Sequence, residues 1–184
     1  MTLLILGLII FFSIHLLPSF QGLRSNFIAK LGVLPYKGVF ALISLVGFAL
    51  IVMGKGQAPF VEIWQPPVLL VMLTKLLMLP AMVLLVAAYV PSNIKRKVRH
   101  PMLAAVKLWA LGHLLSNGDL ASMLLFGSFL CYGVIAVISV SRRAEAVASV
   151  VRPIYMDILV LLMGGVAYAG IGIYHQQLFG AAIV

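Results

Sequence analysis

The feature that most constrains the fold is a series of six apolar segments separated by short polar connections. The segments occupy approximately 2–20, 37–54, 67–90, 101–117, 120–140 and 153–175. Most of them approach the ~20 residues that an α-helix needs to cross ~30 Å of hydrocarbon. Hydrophobic residues make up 64% of the chain and charged residues 9%, and a soluble domain of this length cannot bury that much apolar surface. We therefore predict an all-α, polytopic membrane bundle of six transmembrane helices, with residues 1–184 as one domain.

Basic residues fall almost entirely on alternate connections between these segments. These connections hold ten of them: Arg24, Lys30, Lys37, Lys95, Arg96, Lys97, Arg99, Arg142, Arg143 and Arg152. The other connections hold Lys55, Glu62 and Asp119. Because basic loops stay on the cytoplasmic side of a membrane, both termini are predicted to lie outside. The net charge of +9 is explained by this asymmetry, so we predict no nucleic-acid partner.

Histidine is the residue type that offers chemistry in this chain, which has four of them. His15 and His113 fall inside apolar segments, and His175 lies at the outer end of the last one. Ionisable side chains within hydrocarbon are energetically unfavourable and commonly mark functional sites. A neutral imidazole is also a good ligand for a metal ion. These histidines are therefore candidate metal ligands.

The fourth segment places several of its polar and aromatic residues on one helical face. Trp109, His113 and Ser116 or Asn117 follow one another at spacings of about four residues. An aromatic ring beside an imidazole suits a flat hydrophobic cofactor. The alternative is that His113 bonds to a neighbouring helix while Trp109 packs or marks the membrane interface.

The position of each histidine along its helix leaves the partner of His113 open. At 1.5 Å per residue, His113 lies about 18 Å above Pro101. His15 is predicted nearer the cytoplasmic side and His175 nearer the outer side. Helix tilt can absorb such differences in depth between His113 and the other two histidines, so either histidine remains a candidate partner.

Three stretches of the chain resemble the NnrU family over nearly the whole length. They are FFSIHLLPSFQGLR with the segment after it, HPMLAAVKLWALGHLLSNGD in the middle, and HQQLFG near the end. The resemblance implies a multi-pass protein of the bacterial inner membrane, linked to nitrate, nitrite and nitric oxide reduction, that is, to denitrification. The family is similar to the 15-cis-zeta-carotene isomerases, which are membrane enzymes that use haem b.

This resemblance implies haem b as the cofactor, with iron ligated by histidine. His113 would be one ligand and His15 or His175 the other, with His100 next in line. Trp109 and Phe12 would form walls for the ring. Arg99 would meet the haem propionates if these face the cytoplasm, and polar groups near Asn117 would do so otherwise.

A second resemblance involves Arg99-His100-Pro101 before an apolar helix. It is similar to the stretch that binds S-adenosylmethionine in membrane methyltransferases. The later acidic pair of those enzymes is missing here, because only Glu145 and Asp157 follow Asp119. The alternative interpretation of this stretch is a basic interfacial loop that opens a helix.

Three classes of function therefore remain open. The first is a haem-dependent isomerase or oxidoreductase that acts on a lipid-soluble substrate or a small nitrogen oxide. The second is a non-catalytic haem sensor or accessory subunit of nitric oxide or nitrite reduction. The third is a methyltransferase. The expected partners are the lipid bilayer, haem and such a small molecule, while a redox partner protein or a second copy of the chain stays open.

Overall fold

The computed structural model describes residues 1–143 and 150–180, and within them the chain is helical without strands. The helices are α1 (Thr2–Leu16), α2 (Gln21–Leu31), α3 (Val33–Gly56), α4 (Val68–Tyr89), α5 (Asn93–Lys97), α6 (Pro101–Ser116), α7 (Leu120–Arg143) and α8 (Ile154–Phe179). A short 3₁₀ turn, Leu17–Ser19, follows α1. Glu145 and the side chain of Arg143 lie outside the described residues. The prediction of an all-helical polytopic membrane protein is confirmed.

Five of these helices are long and apolar enough to cross a membrane, namely α1 with its 3₁₀ turn, α3, α4, α7 and α8. The sixth predicted span is α6, which is apolar but only 16 residues long. At 1.5 Å per residue it reaches about 24 Å, somewhat less than the hydrocarbon thickness. Counting α6 as a span preserves the charge asymmetry of the connections, and the orientation of the termini stays a prediction.

The helix boundaries follow local sequence signals, but two helices, α2 and α5, were not predicted from the sequence. Pro101 occupies the first turn of α6, where a missing N–H is harmless. Helix α2 was missed because Arg24, Asn26 and Lys30 interrupt its apolar residues, so it has no membrane-spanning pattern. Gly32 has a φ of 84°, which favours glycine, and it separates α2 from α3. Helix α5 is only five residues long.

The described residues group into two compact units, and each is described by itself. The first unit comprises Met1–Trp64 and Gly118–Arg142, and therefore contains α1, α2, α3 and most of α7. The second unit comprises 65–117 and the part of the chain from Arg143 onward, with α4, α5, α6 and α8. The prediction that the chain forms one domain remains a prediction.

In the first unit, glycines bring α1 and α3 into backbone contact. A Cβ atom at Gly7 would lie 2.6 Å from the backbone nitrogen of Ile51, and one at Gly47 would lie 2.8 Å from that of Phe11. A Cβ atom at Gly54 would overlap the backbone of Leu4. Small residues on a helix face allow this close approach between membrane helices. The two helices consequently pack antiparallel along most of their length.

The connection after α3 pairs with the turn before α7, also within the first unit. Glu62 and Asp119 form an isolated antiparallel bridge. The backbone N–H of Ile63 donates to the carbonyl of Gly118 over 2.8 Å, and that of Leu120 donates to the carbonyl of Val61 over 2.8 Å. The two connections that the charge pattern placed on the outer side therefore lie at one end of this unit.

In the second unit, α4 is the helix against which both α6 and α8 pack. Gly112 of α6 lies against Thr74 and Met78, and Gly164 of α8 lies against the backbone of Val83. Pro80 lies inside α4, as predicted. Helices α6 and α8 make no extensive backbone contact with each other in the described residues. The relative position of α6 and α8 is therefore set mainly through α4.

Large apolar side chains remain exposed along the spans, among them Leu76, Leu162 and Val166. Exposed patches of this extent are rare on soluble monomers. They are the surface that a bilayer covers, and they agree with a multi-pass membrane protein.

Candidate functional site

The candidate site is a pair of imidazole rings in the second unit, and its best-defined member is His113 on α6. The Nδ1 atom of His113 lies 2.8 Å from the carbonyl oxygen of Trp109. Because a carbonyl only accepts hydrogen bonds, Nδ1 carries the proton and Nε2 carries the lone pair. A backbone carbonyl on one ring nitrogen is the usual arrangement behind a histidine that ligates a metal through the other.

Trp109 and Asn117 hold the segment around His113 in place. The indole ring of Trp109 lies 5.2 Å from the imidazole, centroid to centroid, at an angle of 52°. The amide of Asn117 donates a 2.8 Å hydrogen bond to the carbonyl of His113 and contacts the hydroxyl of Ser116 at 3.2 Å. Asn117 therefore caps the C-terminal end of α6 next to His113.

His175 on α8 supplies the second ring. Its centroid lies 6.5 Å from that of His113, with an angle of 24° between the ring planes. Phe179, one turn further along α8, lies 5.0 Å from His175. The structure thus brings together two of the histidines that the sequence analysis selected, with one aromatic neighbour from each helix.

The separation of the two ring centroids is close to that of two imidazoles bound on opposite sides of one metal ion. Two metal–nitrogen bonds of about 2 Å, with about 1 Å from each nitrogen to its ring centre, place the centroids about 6 Å apart. The observed separation is 6.5 Å. Among the described residues, no group of three or more His, Cys, Asp or Glu side chains is placed to hold a metal ion. Two donors suit a metal whose remaining ligands come from a cofactor, whereas structural zinc takes four protein ligands.

His15 belongs to a different environment, an aromatic cluster within the first unit. Its Nδ1 atom lies 2.7 Å from the carbonyl of Phe11, and its ring stacks on that of Phe11 at 4.0 Å. Phe40 and Tyr132 lie 5.2 Å and 5.9 Å away, centroid to centroid. Phe12, predicted to wall the cofactor, packs in the same cluster, 5.2 Å from Tyr132.

Arg99 and His100 lie just before α6, outside its helical turns. The Nε2 atom of His100 is buried and has no hydrogen-bond partner in the described part of the chain. Burial, together with the positive charges of Arg99 and Lys107, lowers the pKa of His100. A neutral imidazole is therefore favoured at this position.

The acidic residues that could serve a methyltransferase site are hydrogen-bonded to other groups or lie outside the described residues. Asp157 accepts hydrogen bonds from the side chain of Asn93 at 2.7 Å and from the backbone N–H of Ile94 at 2.9 Å. It therefore caps the start of α5. Glu145 lies outside the described residues.

A charged contact in the first unit was missed by the sequence analysis. The ammonium group of Lys55 lies 2.9 Å from the carboxylate of Asp119 and 2.8 Å from the hydroxyl of Ser122. The same carboxylate accepts from the backbone N–H of Ser122 at 2.9 Å. Burial by itself raises the pKa of Asp119, but hydrogen bonds from Ser122 and Lys55 and the charge of Lys55 outweigh it and lower that pKa. The sequence signal for this contact was Lys55, a single lysine on the connections that also hold Glu62 and Asp119.

The comparisons with known proteins identify one family. No curated protein and no solved structure shows significant similarity to the chain. The family model described as NnrU protein matches residues 3–183, nearly the entire sequence. The chain therefore belongs to the NnrU family of integral membrane proteins.

Proposed function

We propose that this protein binds haem b between α6 and α8, where His113 and His175 would hold the iron. The observation that carries the proposal is the 6.5 Å separation of the two imidazole centroids. The donor set fits the group, because a porphyrin supplies four nitrogens and leaves two positions for the protein. The proposed role is haem-dependent redox chemistry or sensing in nitrogen-oxide metabolism at the bacterial inner membrane.

The chain would contribute orientation and shielding to this site. The carbonyl of Trp109 fixes the proton of His113 on Nδ1 and directs the lone pair to Nε2. Trp109 and Phe179 place aromatic rings beside the two imidazoles. Because α6 and α8 are held by α4 more than by each other, a planar group can lie between the rings without separating a packed interface. Bound haem would supply a one-electron redox centre.

Ligation of the iron by both His113 and His175 would favour electron transfer or sensing over a reaction at the iron itself. Axial ligation and the polarity of the distal pocket are the features that decide among these roles. We therefore place the accessory or sensory role ahead of isomerisation.

Absorption spectra of the full chain in mild detergent, loaded with haem and recorded in both oxidation states, test this proposal. Wild type should show a Soret band, and His113→Ala should lose most of its haem. His100→Ala is the matched control, since its ring lies outside α6, and should retain the wild-type spectrum. A folded wild-type protein with no affinity for haem would contradict the proposal, and binding of S-adenosylmethionine that depends on His100 would favour the methyltransferase alternative.

The same loaded protein separates the remaining roles. A sensor should shift its ferrous spectrum when nitric oxide is added, without turning over a substrate. Redox-dependent conversion of a lipid-soluble substrate would instead assign an enzymatic role.

A further inference from the structure

We propose that Thr74 is a positioning residue for the imidazole of His113, acting through the backbone of α6. The inference rests on the proposed function for its importance, but its geometry is independent of haem. Thr74 lies on α4, is only 7% exposed, and was not selected by any sequence pattern.

The contact is a buried hydrogen bond between two helices. The hydroxyl of Thr74 donates to the carbonyl of Gly112 over 2.7 Å, while the carbonyl of Leu70 in its own helix lies at 3.0 Å. A threonine inside a helix commonly bonds to the carbonyl four residues earlier. Here the shorter contact is the one that reaches the neighbouring helix. Gly112 directly precedes His113, so this bond acts on the residue next to the candidate ligand.

Gly112 leaves space for this contact. A Cβ atom at this position would lie 3.3 Å from the methyl group of Thr74 and 2.5 Å from the terminal methyl of Met78. The absence of that atom lets α6 approach α4 closely. Successive residues of a helix point about 100° apart, so fixing the Gly112 backbone against α4 also fixes the direction of the His113 side chain.

This constraint bears on the candidate site because α6 and α8 depend on α4 for their placement. Gly112 meets Thr74 on α4, and Gly164 of α8 meets Val83 further along the same helix. A rotation of α6 would change the direction of His113 without disturbing His175. The hydroxyl of Thr74 therefore holds the orientation on which the 6.5 Å ring separation depends.

The test compares Thr74→Val, which keeps the shape but removes the hydroxyl, with Thr74→Ser, which keeps the hydroxyl. Ser44→Ala is the matched control, because the Ser44 hydroxyl is also buried in a span but has no hydrogen-bond partner in the described residues. The chain has four histidines, so selective ¹⁵N labelling of histidine in the haem-free protein gives a small set of assignable ring-nitrogen signals, two for each imidazole.

We expect Thr74→Val to split or broaden the two ring-nitrogen signals of His113, and Thr74→Ser and Ser44→Ala to leave both signals unsplit. In the haem-loaded protein, Thr74→Val should increase the high-spin fraction and lower haem affinity on the order of five- to tenfold, the usual effect of one lost hydrogen bond. A wild-type His113 signal in Thr74→Val would overturn the inference. If wild type binds no haem but its His113 signal still depends on the Thr74 hydroxyl, the inference stands and the proposed function fails.

Discussion

His15 in the first unit and His113 in the second unit share one local construction. Each follows an aromatic residue by four positions, and each places Nδ1 against the carbonyl of that residue, at 2.7 Å for Phe11 and 2.8 Å for Trp109. Their neighbours differ. His15 is surrounded by phenylalanine and tyrosine rings, whereas His113 has a second imidazole 6.5 Å away. A well-oriented histidine is therefore common to both units, and the paired nitrogen donors belong to the second.

The packing of the helices that carry the two histidines also differs between the two units. In the first unit, α1 and α3 touch along Gly7, Gly47 and Gly54, which leaves no space between their backbones. In the second unit, α6 and α8 are each attached to α4 near one glycine and have little contact with each other. The first arrangement favours rigidity, and the second leaves room for a ligand between two helices.

The largest expected stability effect is at the glycines of these two interfaces. Gly54→Ala should lower the free energy of unfolding by about 3 kcal/mol, because its Cβ would overlap the backbone of Leu4. Gly112→Ala should cost only about 1 kcal/mol, since its closest new neighbour is the flexible end of Met78. Unfolding of each variant in mixed micelles measures the difference, with Gly38→Ala as the unhindered control. Equal losses at Gly54 and Gly112 would contradict the contrast between the two interfaces.

The next effect concerns the charged contact of the first unit. Asp119→Asn should cost about 1–3 kcal/mol at neutral pH, because the carboxylate bonds both Lys55 and the first turn of α7. The folded state lowers the pKa of Asp119. Its contribution is therefore complete above the unfolded-state value of about 3.9 and is lost as the pH falls through the folded-state pKa.

The free energy of unfolding, measured between neutral pH and about pH 3, tests this loss of stability. Wild type should begin to lose stability below about pH 4 relative to Asp119→Asn, and the two curves should approach each other toward the acidic end. Lys55→Met should weaken the same pH dependence. A constant difference between wild type and Asp119→Asn across this range would exclude Asp119 as the titrating group.

The smallest effect is expected at the polar contact that joins α5 to the start of α8 in the second unit. The amide of Asn93 donates to the carbonyl of Arg152 and to the carboxylate of Asp157, and accepts from the backbone N–H of Arg152. Asn93→Ala should cost about 1 kcal/mol, since these bonds are mostly exposed. Asn26→Ala on α2 is the control and should be neutral. Thermal unfolding compares the two variants, and a loss above that of Asp119→Asn would reverse the predicted order.

The sequence predicts the helices well because apolar length and proline position act locally. Pro101 and the apolar run after it predict α6 to within one residue of its observed end at Ser116. Helix α2 was not predictable in this way, because its eleven residues mix charged and apolar side chains and bury none.

The candidate site was only half predictable for a related reason. His113, Trp109 and Asn117 were selected because they share a face of one helix, which spacing reveals. The pairing with His175 depends on how α4 holds α6 and α8, and that tertiary contact leaves no periodic pattern. Thr74 and Lys55 were missed because their partners, Gly112 and Asp119, lie far away in sequence.

The most direct test of the central claim is the ferric haem spectrum of the His175→Ala variant beside those of His15→Ala and wild type. Two imidazole ligands should give wild type a six-coordinate, low-spin spectrum. We predict that His175→Ala converts it to a high-spin spectrum and that His15→Ala leaves it unchanged. A high-spin spectrum in His15→Ala with a wild-type spectrum in His175→Ala would show that His15 is the second ligand and would contradict the pairing of His113 with His175.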